Sequence, residues 1–289
     1  MSNERSFIAG LRHLPLHSAA RGLADDAAVL EVSGETLVLT HDAMVEGVHF
    51  LPSQDMADVA WKLVAVNLSD LAAKGAEPLG VLLGYQLGRD DAAFLRGLSE
   101  ALETSGVPLL GGDTVAGPVQ RSFGLTAIGR ATHVPVPSRS GARPGDYVYV
   151  TGQVGAAMLG FEALRDGTGG DSEAYRRPWP LLVQGEALAP LVSAMMDVSD
   201  GLLLDCWRMA TASGVSILLD SEAIPVADPS RRDECLRWGD DYELLFTLPS
   251  DAAPPVTATA IGRVRTLGDA PLRLDGGALI AEQGLGYTH

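Results

Sequence analysis

Two periods of apolar spacing recur along this chain, one of two residues and one of three to four. Ala28–Val32 and Thr36–Thr40 read as strands joined at Ser33-Gly34. Asp58 to Lys74 reads as a helix, with Val59, Leu63, Val66 and neighbouring alanines on its apolar face and Gly75 as its stop. Leu79–Leu87 is a strand with an internal glycine. Asp91–Thr104 is a second helix ended by Gly106, and Val107–Leu110 and Phe123–Arg130 are further strands. The segment Thr132 to Asp146, rich in proline and glycine, marks a junction between two halves, residues 1–134 and 135–289. The second half opens with a strand, Tyr147–Val150. A Thr151-Gly152-x-x-Gly155 turn leads from it into a helix, Ala156–Arg165. Asp166 to Pro180 is polar and reads as a loop. Asp200–Ala212 is a helix stopped by Gly214, and Ile217–Asp220 and Leu244–Leu248 are strands. This mixed order predicts two α/β or α+β domains rather than one doubly wound sheet. No period of repeat-protein length is present.

Composition narrows the function more than the fold. The chain has 289 residues, 46% of them hydrophobic, which is enough for a substantial core. A net charge of −16 argues against a nucleic-acid partner, because a duplex-binding surface needs clustered lysine and arginine. Acidity does not exclude anionic substrates, since bound divalent cations invert the local sign. Cys206 and Cys235 lack metal-site or redox-pair spacing, so both are expected to be inert thiols in a reducing compartment. No signal peptide or membrane span is expected, and a cytoplasmic location is.

The chemistry resides in single carboxylates beside small or turn-forming residues: Gly-Leu-Ala-Asp25-Asp26, Leu-Thr-His-Asp42, Asn67-Leu-Ser-Asp70, Gly-Gly-Asp113-Thr and Asp197-Val-Ser-Asp200-Gly. So many anions in one cleft would repel one another unless cations sat between them. Taken singly, each motif has a plainer reading. Asp70 and Lys74 could form a surface ion pair on one helix stripe with Asn67. Gly112-Asp113 could be a turn, and Ser199 or Asp200 could be a helix cap. Thr151-Gly152-Gln153-Val154-Gly155 lacks the full dinucleotide pattern and reads as a tight turn. A lone His49 is more often structural, and Arg139 could be an exposed linker residue rather than a phosphate grip. There is no Gly-x-Ser-x-Gly, no His-Glu-x-x-His and no lysine phosphate loop.

The order of these motifs is more specific than any one of them. With Val-Glu-Gly-Val-His49-Phe, Ser140-Gly-Ala-Arg-Pro-Gly-Asp and Gly239-Asp-Asp-Tyr-Glu-Leu-Leu-Phe added, the chain closely resembles the thiamine-monophosphate kinase family. More distantly it is similar to the superfamily of aminoimidazole ribonucleotide synthetase, selenophosphate synthetase and the hydrogenase maturation dehydratase. The resemblance implies ATP-dependent phosphorylation of thiamine phosphate to thiamine diphosphate, with several Mg²⁺ ions. It implies a homodimer built through an N-terminal domain whose strands help to form a barrel, and a cleft between that domain and a C-terminal α/β domain. Carried across, the metal ligands would be Asp26, Thr40, His41, Asp42, Asp70, Asp113, Asp197 and Asp200. Gly112, Asp113, Arg139 and Ser199 would hold ATP, and His49, Asp240 and Tyr287 would face thiamine phosphate. The chain departs from the family pattern at Ala24 for glycine, His41 for serine or threonine, and Asp240 for glutamate. Two readings compete with the kinase. One is a superfamily enzyme that activates a carbonyl or amide oxygen, the other a nucleotide–metal binding protein with weakened catalysis.

Overall fold

The computed structural model describes residues 4–288. The chain forms two mixed sheets, each with its own apolar core. In the first half α1 (Glu4–Leu11) and a short 3-10 segment precede β1 (Ala28–Val32), β2 (Glu35–Val45), α2 (Met56–Ala73), β3 (Ala76–Leu87), α3 (Asp91–Ser105), β4 (Leu109–Ala116) and β5 (Ser122–Ala131). The sheet order is β1-β2-β5-β3-β4, antiparallel except for the β3–β4 pair. Two strands are longer than the apolar pattern predicts. β2 continues past Thr40 because its ladder with β5 runs on through Asp42 opposite Leu125 to Val45 opposite Ser122. β4 continues through Gly111-Gly112-Asp113-Thr114, paired in parallel with β3, where a turn was one of the readings. Gly112 has φ 152°, and a Cβ there would collide with the Leu83 backbone.

The second half comprises β6 (Tyr147–Val150), α4 (Ala156–Asp166), α5 (Glu173–Arg176), α6 (Leu182–Leu188), β7 (Ala194–Asp197), α7 (Leu202–Ser213), β8 (Val215–Leu219), α8 (Arg232–Trp238), β9 (Leu244–Leu248), β10 (Thr259–Thr266), β11 (Leu272–Leu274) and β12 (Gly277–Leu279). Its sheet order is β12-β11-β8-β10-β6-β9-β7, with β11–β8 the parallel pair. The single helical turn α5 falls within the segment expected to be a loop, because four residues are too few to show a period. No helix among the described residues is long and apolar enough to cross a membrane.

Helix α2 is the element that positions the site. Asp55 caps it, its carboxylate accepting from Ala57 N at 2.9 Å, and Gly75 leaves it in the left-handed region with φ 57°. Every residue from Asp58 to Ala73 is buried, because the helix is covered on all sides. One side packs on the first sheet and α3. Its last turn, Ala72 and Ala73, packs with Leu188, Met195, Leu244 and Phe246 of the second half. Close approach depends on glycine: a Cβ on Gly97 of α3 would strike Ala57 O, and one on Gly185 of α6 would strike Ala72 O.

Candidate active site

A cavity of about 540 Å³ lies between the two halves. At one end are Asp26, Asp42, Asp70, Asp197 and Asp200, with Ser199, Arg139 and Arg208. At the other are His49, Lys62, Asp240 and the rings of Phe161, Tyr175 and Trp238, with Tyr242 between the two ends, near Asp42 and Asp197 as well as Asp240. Tyr287 also lines it.

Each acid is held by its element. Asp42 lies on β2, and its backbone N–H donates to Asn67 Oδ1 at 2.9 Å, so the Asn67 of α2 fixes the strand rather than facing solvent. Asp70 accepts from the Thr40 hydroxyl. Thr40 therefore reaches the acid cluster through Asp70. His41, one residue on, points to the other face of β2, with Nδ1 2.9 Å from Thr126 Oγ1. The His41 side chain therefore does not line the cavity. Asp197 ends β7 and accepts from Ser69 Oγ at 2.6 Å. Ser199 and Asp200 precede α7, and their N–H groups both donate to the buried Asp205 at 3.2 Å. The Asp205 carboxyl, inside the first turn of α7, thus holds the backbone of the segment before the helix, and Ser199 and Asp200 line the cavity.

Burial and mutual repulsion raise two of these acids, whereas paired cations lower a third. Burial, reinforced by Asp42, Asp197 and Asp26, pushes Asp70 well above the ordinary carboxylate range. Burial, reinforced chiefly by Asp26, pushes Asp197 up to about 7. Asp26 is equally buried, yet Arg139 and Lys74 hold it below its ordinary value. Asp26 pairs with Arg139 and lies 2.6 Å from Lys74 Nζ. Lys74 is fully buried and also pairs with Asp25 at 2.6 Å, so it is no surface partner of Asp70. Arg139 is likewise no exposed linker residue.

Among the described residues, no three Asp, Glu, His or Cys side chains converge into a ready-made metal cage. The donors are nonetheless all hard oxygens, and among the described residues no cation pairs directly with the buried Asp70 or Asp197, Lys74 acting on Asp197 only from a distance. That set suits an ion such as Mg²⁺, which is commonly held by one or two carboxylates and completed by substrate phosphates and water.

Gly112 and Asp113 do not line this cavity. They lie on the exposed edge strand β4, beside a separate hollow with Leu83, Tyr85, Phe94 and Leu109. The Thr151–Gly155 turn is also elsewhere, and the group at its helix is the chain's own Asp241 carboxyl, which accepts from Gly155 N at 2.9 Å. Sequence reasoning missed Lys62, Arg208, Tyr175, Trp238 and Tyr242. For Lys62 there was a signal, a single lysine inside an apolar helix. The aromatic residues come from separate short elements with no shared spacing.

This fold and this acid-lined cleft define a two-domain protein of the AIR synthase-related class. Residues 24–131 match the AIR synthase related protein, N-terminal domain, and residues 143–264 match the corresponding C-terminal domain. The thiamine-monophosphate kinase of Caulobacter vibrioides is 40% identical over 277 residues, covering 86% of this chain and 78% of that protein. That of Salmonella typhimurium is 38% identical over 252 residues, covering 79% and 76%. A solved structure described as AaThiL complexed with AMPPCP and TMP superposes with a TM-score of 0.89 at 28% identity, covering 99% of this chain and 97% of that one. The chain belongs to the thiamine-monophosphate kinase family.

Proposed function

We propose that the chain transfers the terminal phosphoryl group of ATP directly to thiamine phosphate, giving thiamine diphosphate. The observation that carries this reading is one cavity with five carboxylates and two arginines at one end and an aromatic wall at the other. Family membership and the AMPPCP and TMP bound in the similar structure support it. The acceptor is a phosphate oxygen, already largely ionised near neutral pH, so no strong base is required. Catalysis then rests on alignment and charge neutralisation. Neither cysteine lines the cavity, and Ser199 Oγ has no basic partner among the described residues, so no phosphoenzyme is proposed. Asp26, Asp42, Asp70, Asp197 and Asp200 would hold Mg²⁺, with Thr40 acting through Asp70 and position 41 through its carbonyl. Bound Mg²⁺ supplies neutralisation of the phosphate charges. Arg139 and Ser199 face ATP, while His49, Asp240 and Tyr287 face thiamine phosphate. Two buried, unpaired thiols fit a cytoplasmic location. The test is ADP release from ATP and Mg²⁺ with and without thiamine phosphate, with the product identified. Thiamine diphosphate formed in step with ADP is expected. ADP that rises instead with a carbonyl or amide compound, or nucleotide binding without turnover, would replace the reading by one of its two rivals.

Gly112 and Asp113 enter this scheme through a second copy, and the domain boundary is set at residues 134 and 135. β4 is an edge strand with Leu109, Leu110 and Val115 about half exposed, a surface that calls for a partner. A homodimer formed along β4 would present Asp113 to the other subunit's cavity. Mixing inactive Asp42→Asn and Asp113→Asn proteins under subunit exchange is then expected to restore activity, because one site per mixed dimer is intact. Absence of rescue in demonstrated mixed dimers would remove Asp113 from the neighbouring site.

A further inference from the structure

Lys62 lies on α2 two turns before Asp70, and Val66 between them lines the same wall. Eight residues of helix separate the two by roughly 12 Å. One wall of the cavity therefore runs from the acids at its phosphate-handling end to a single buried ammonium at its aromatic end. That ammonium pairs with Asp240 Oδ2, reaches His49 O at 3.4 Å and sits 3.9 Å from the centre of the Tyr175 ring. The other oxygen of Asp240 accepts from the Tyr242 hydroxyl at 2.9 Å. Asp240 is thus gripped from both sides.

The loop that carries Asp240 is unusual. Asp240 and Tyr242 both have positive φ, 63° and 54°, a conformation that non-glycine residues hold only when the surroundings enforce it. Backbone bonds from Asp240 N to Ser199 O (2.7 Å) and from Tyr242 N to Val198 O (2.8 Å) tie the loop to the acid end. Lys62 ties it to α2 across the domain boundary.

A buried ion pair is seldom retained for stability, since well-packed apolar residues serve as well or better. Its value here is charge placement. Ring faces favour a cation: that of Tyr175 already carries the Lys62 ammonium, and Trp238 also lines the cavity. A lone ammonium beside them would repel a cationic substrate ring, and a lone carboxylate on a short side chain would be free to swing. Together they present a fixed carboxylate with no net charge. Asp240 is one methylene shorter than the family's glutamate, and the long lysine stem spans the gap to hold it.

We propose that Lys62 is a positioning residue that fixes Asp240 against the ring end of thiamine phosphate, and so governs acceptor binding rather than phosphoryl transfer. This rests on the kinase reading above. Lys62→Met, Asp240→Asn and the double variant are to be compared by steady-state kinetics, with thermal melts alongside. Lys62→Met is expected to raise KM for thiamine phosphate by roughly ten- to a hundredfold, with the change falling on that constant rather than on kcat or the KM for ATP. The double variant is expected to be no worse than the weaker single variant, because no carboxylate remains to be positioned. Lys62→Gln keeps a donor for Asp240 without an unpaired buried cation, and its KM is expected between those of the parent and Lys62→Met. Single effects that multiply in the double variant, or a joint change in kcat, KM for ATP and melting temperature, would identify a purely structural latch and overturn the proposal. So would a folded Lys62→Met protein with the parent KM. A parent protein with no thiamine phosphate-dependent ADP release would sink the kinase reading itself, whereas an active parent with unchanged variants sinks only the role of Lys62.

Discussion

Replacing Asp70 with asparagine is expected to lower kcat by about a thousandfold or more while leaving the fold intact. Asparagine keeps the shape of the side chain and an oxygen for the Thr40 hydroxyl. It removes the negative charge at the centre of the cluster, where Asp42, Asp197 and Asp26 all act on Asp70. The same reasoning predicts a second effect of opposite sign. In chelator the native site holds acids that burial and mutual repulsion both penalise, so the variant should unfold at a higher temperature than the parent. The gain is roughly 1–3 kcal/mol. Saturating Mg²⁺ should reverse the order, since the parent gains more from binding the ion. Turnover near the parent value at saturating Mg²⁺ would remove Asp70 from the metal-binding set. A lower melting temperature in chelator would show that its charge is compensated by another route.

Parts of this site were legible in the chain and parts were not. The acids stand out because each interrupts an otherwise apolar stretch, and the order of their motifs marked the family. Their partners were hidden. Asn67, Asp70 and Lys74 fall on one helical stripe, which suggested a pair within α2. In the folded chain the stripe faces three different things: Asn67 bonds to the backbone of β2, Asp70 bonds to Thr40, and Lys74 pairs with Asp25 and Asp26 far earlier in the chain. Spacing within a helix can assign a face but not the element that meets it. Ile217–Asp220 and Leu244–Leu248 were read as strands and are strands, but β7 and β10 were missed for another reason. β10 is central in its sheet, yet its buried residues Ile261 and Val264 are three apart, because a register shift at Ala260 to Gly262 breaks the period of two. β7 is buried at all four positions, so it shows no alternation.

The largest loss of stability is expected from Lys74→Met. Lys74 has no exposed surface, and its ammonium lies 2.6 Å from a carboxylate oxygen of each of Asp25 and Asp26. A third contact, to Met195 O at 3.3 Å, reaches the strand that leads to Asp197. Burial opposes ionisation of all three side chains, and it is the pairing with Lys74, with Arg21 at Asp25 and Arg139 at Asp26, that keeps both acids below their ordinary range. Methionine matches the stem but leaves two buried acids with one cation fewer, a change that costs on the order of 3–5 kcal/mol. Urea unfolding should show the loss as a lower midpoint with little change in slope. Asp25 also accepts from Arg139 N at 3.2 Å, so the loss should carry to the arginine proposed to face ATP. Weaker nucleotide binding is therefore expected in whatever fraction remains folded. A double change, Lys74→Met with Asp25→Asn, removes one of the two acids while Asp26 keeps Arg139 and Arg21 still donates to Val136 O and Pro137 O. With one buried negative charge fewer to compensate, it should recover part of the lost stability. Parent-like stability in Lys74→Met alone would show that Arg21 and Arg139 suffice for the two acids. The buried lysine would then matter to the site and not to the fold.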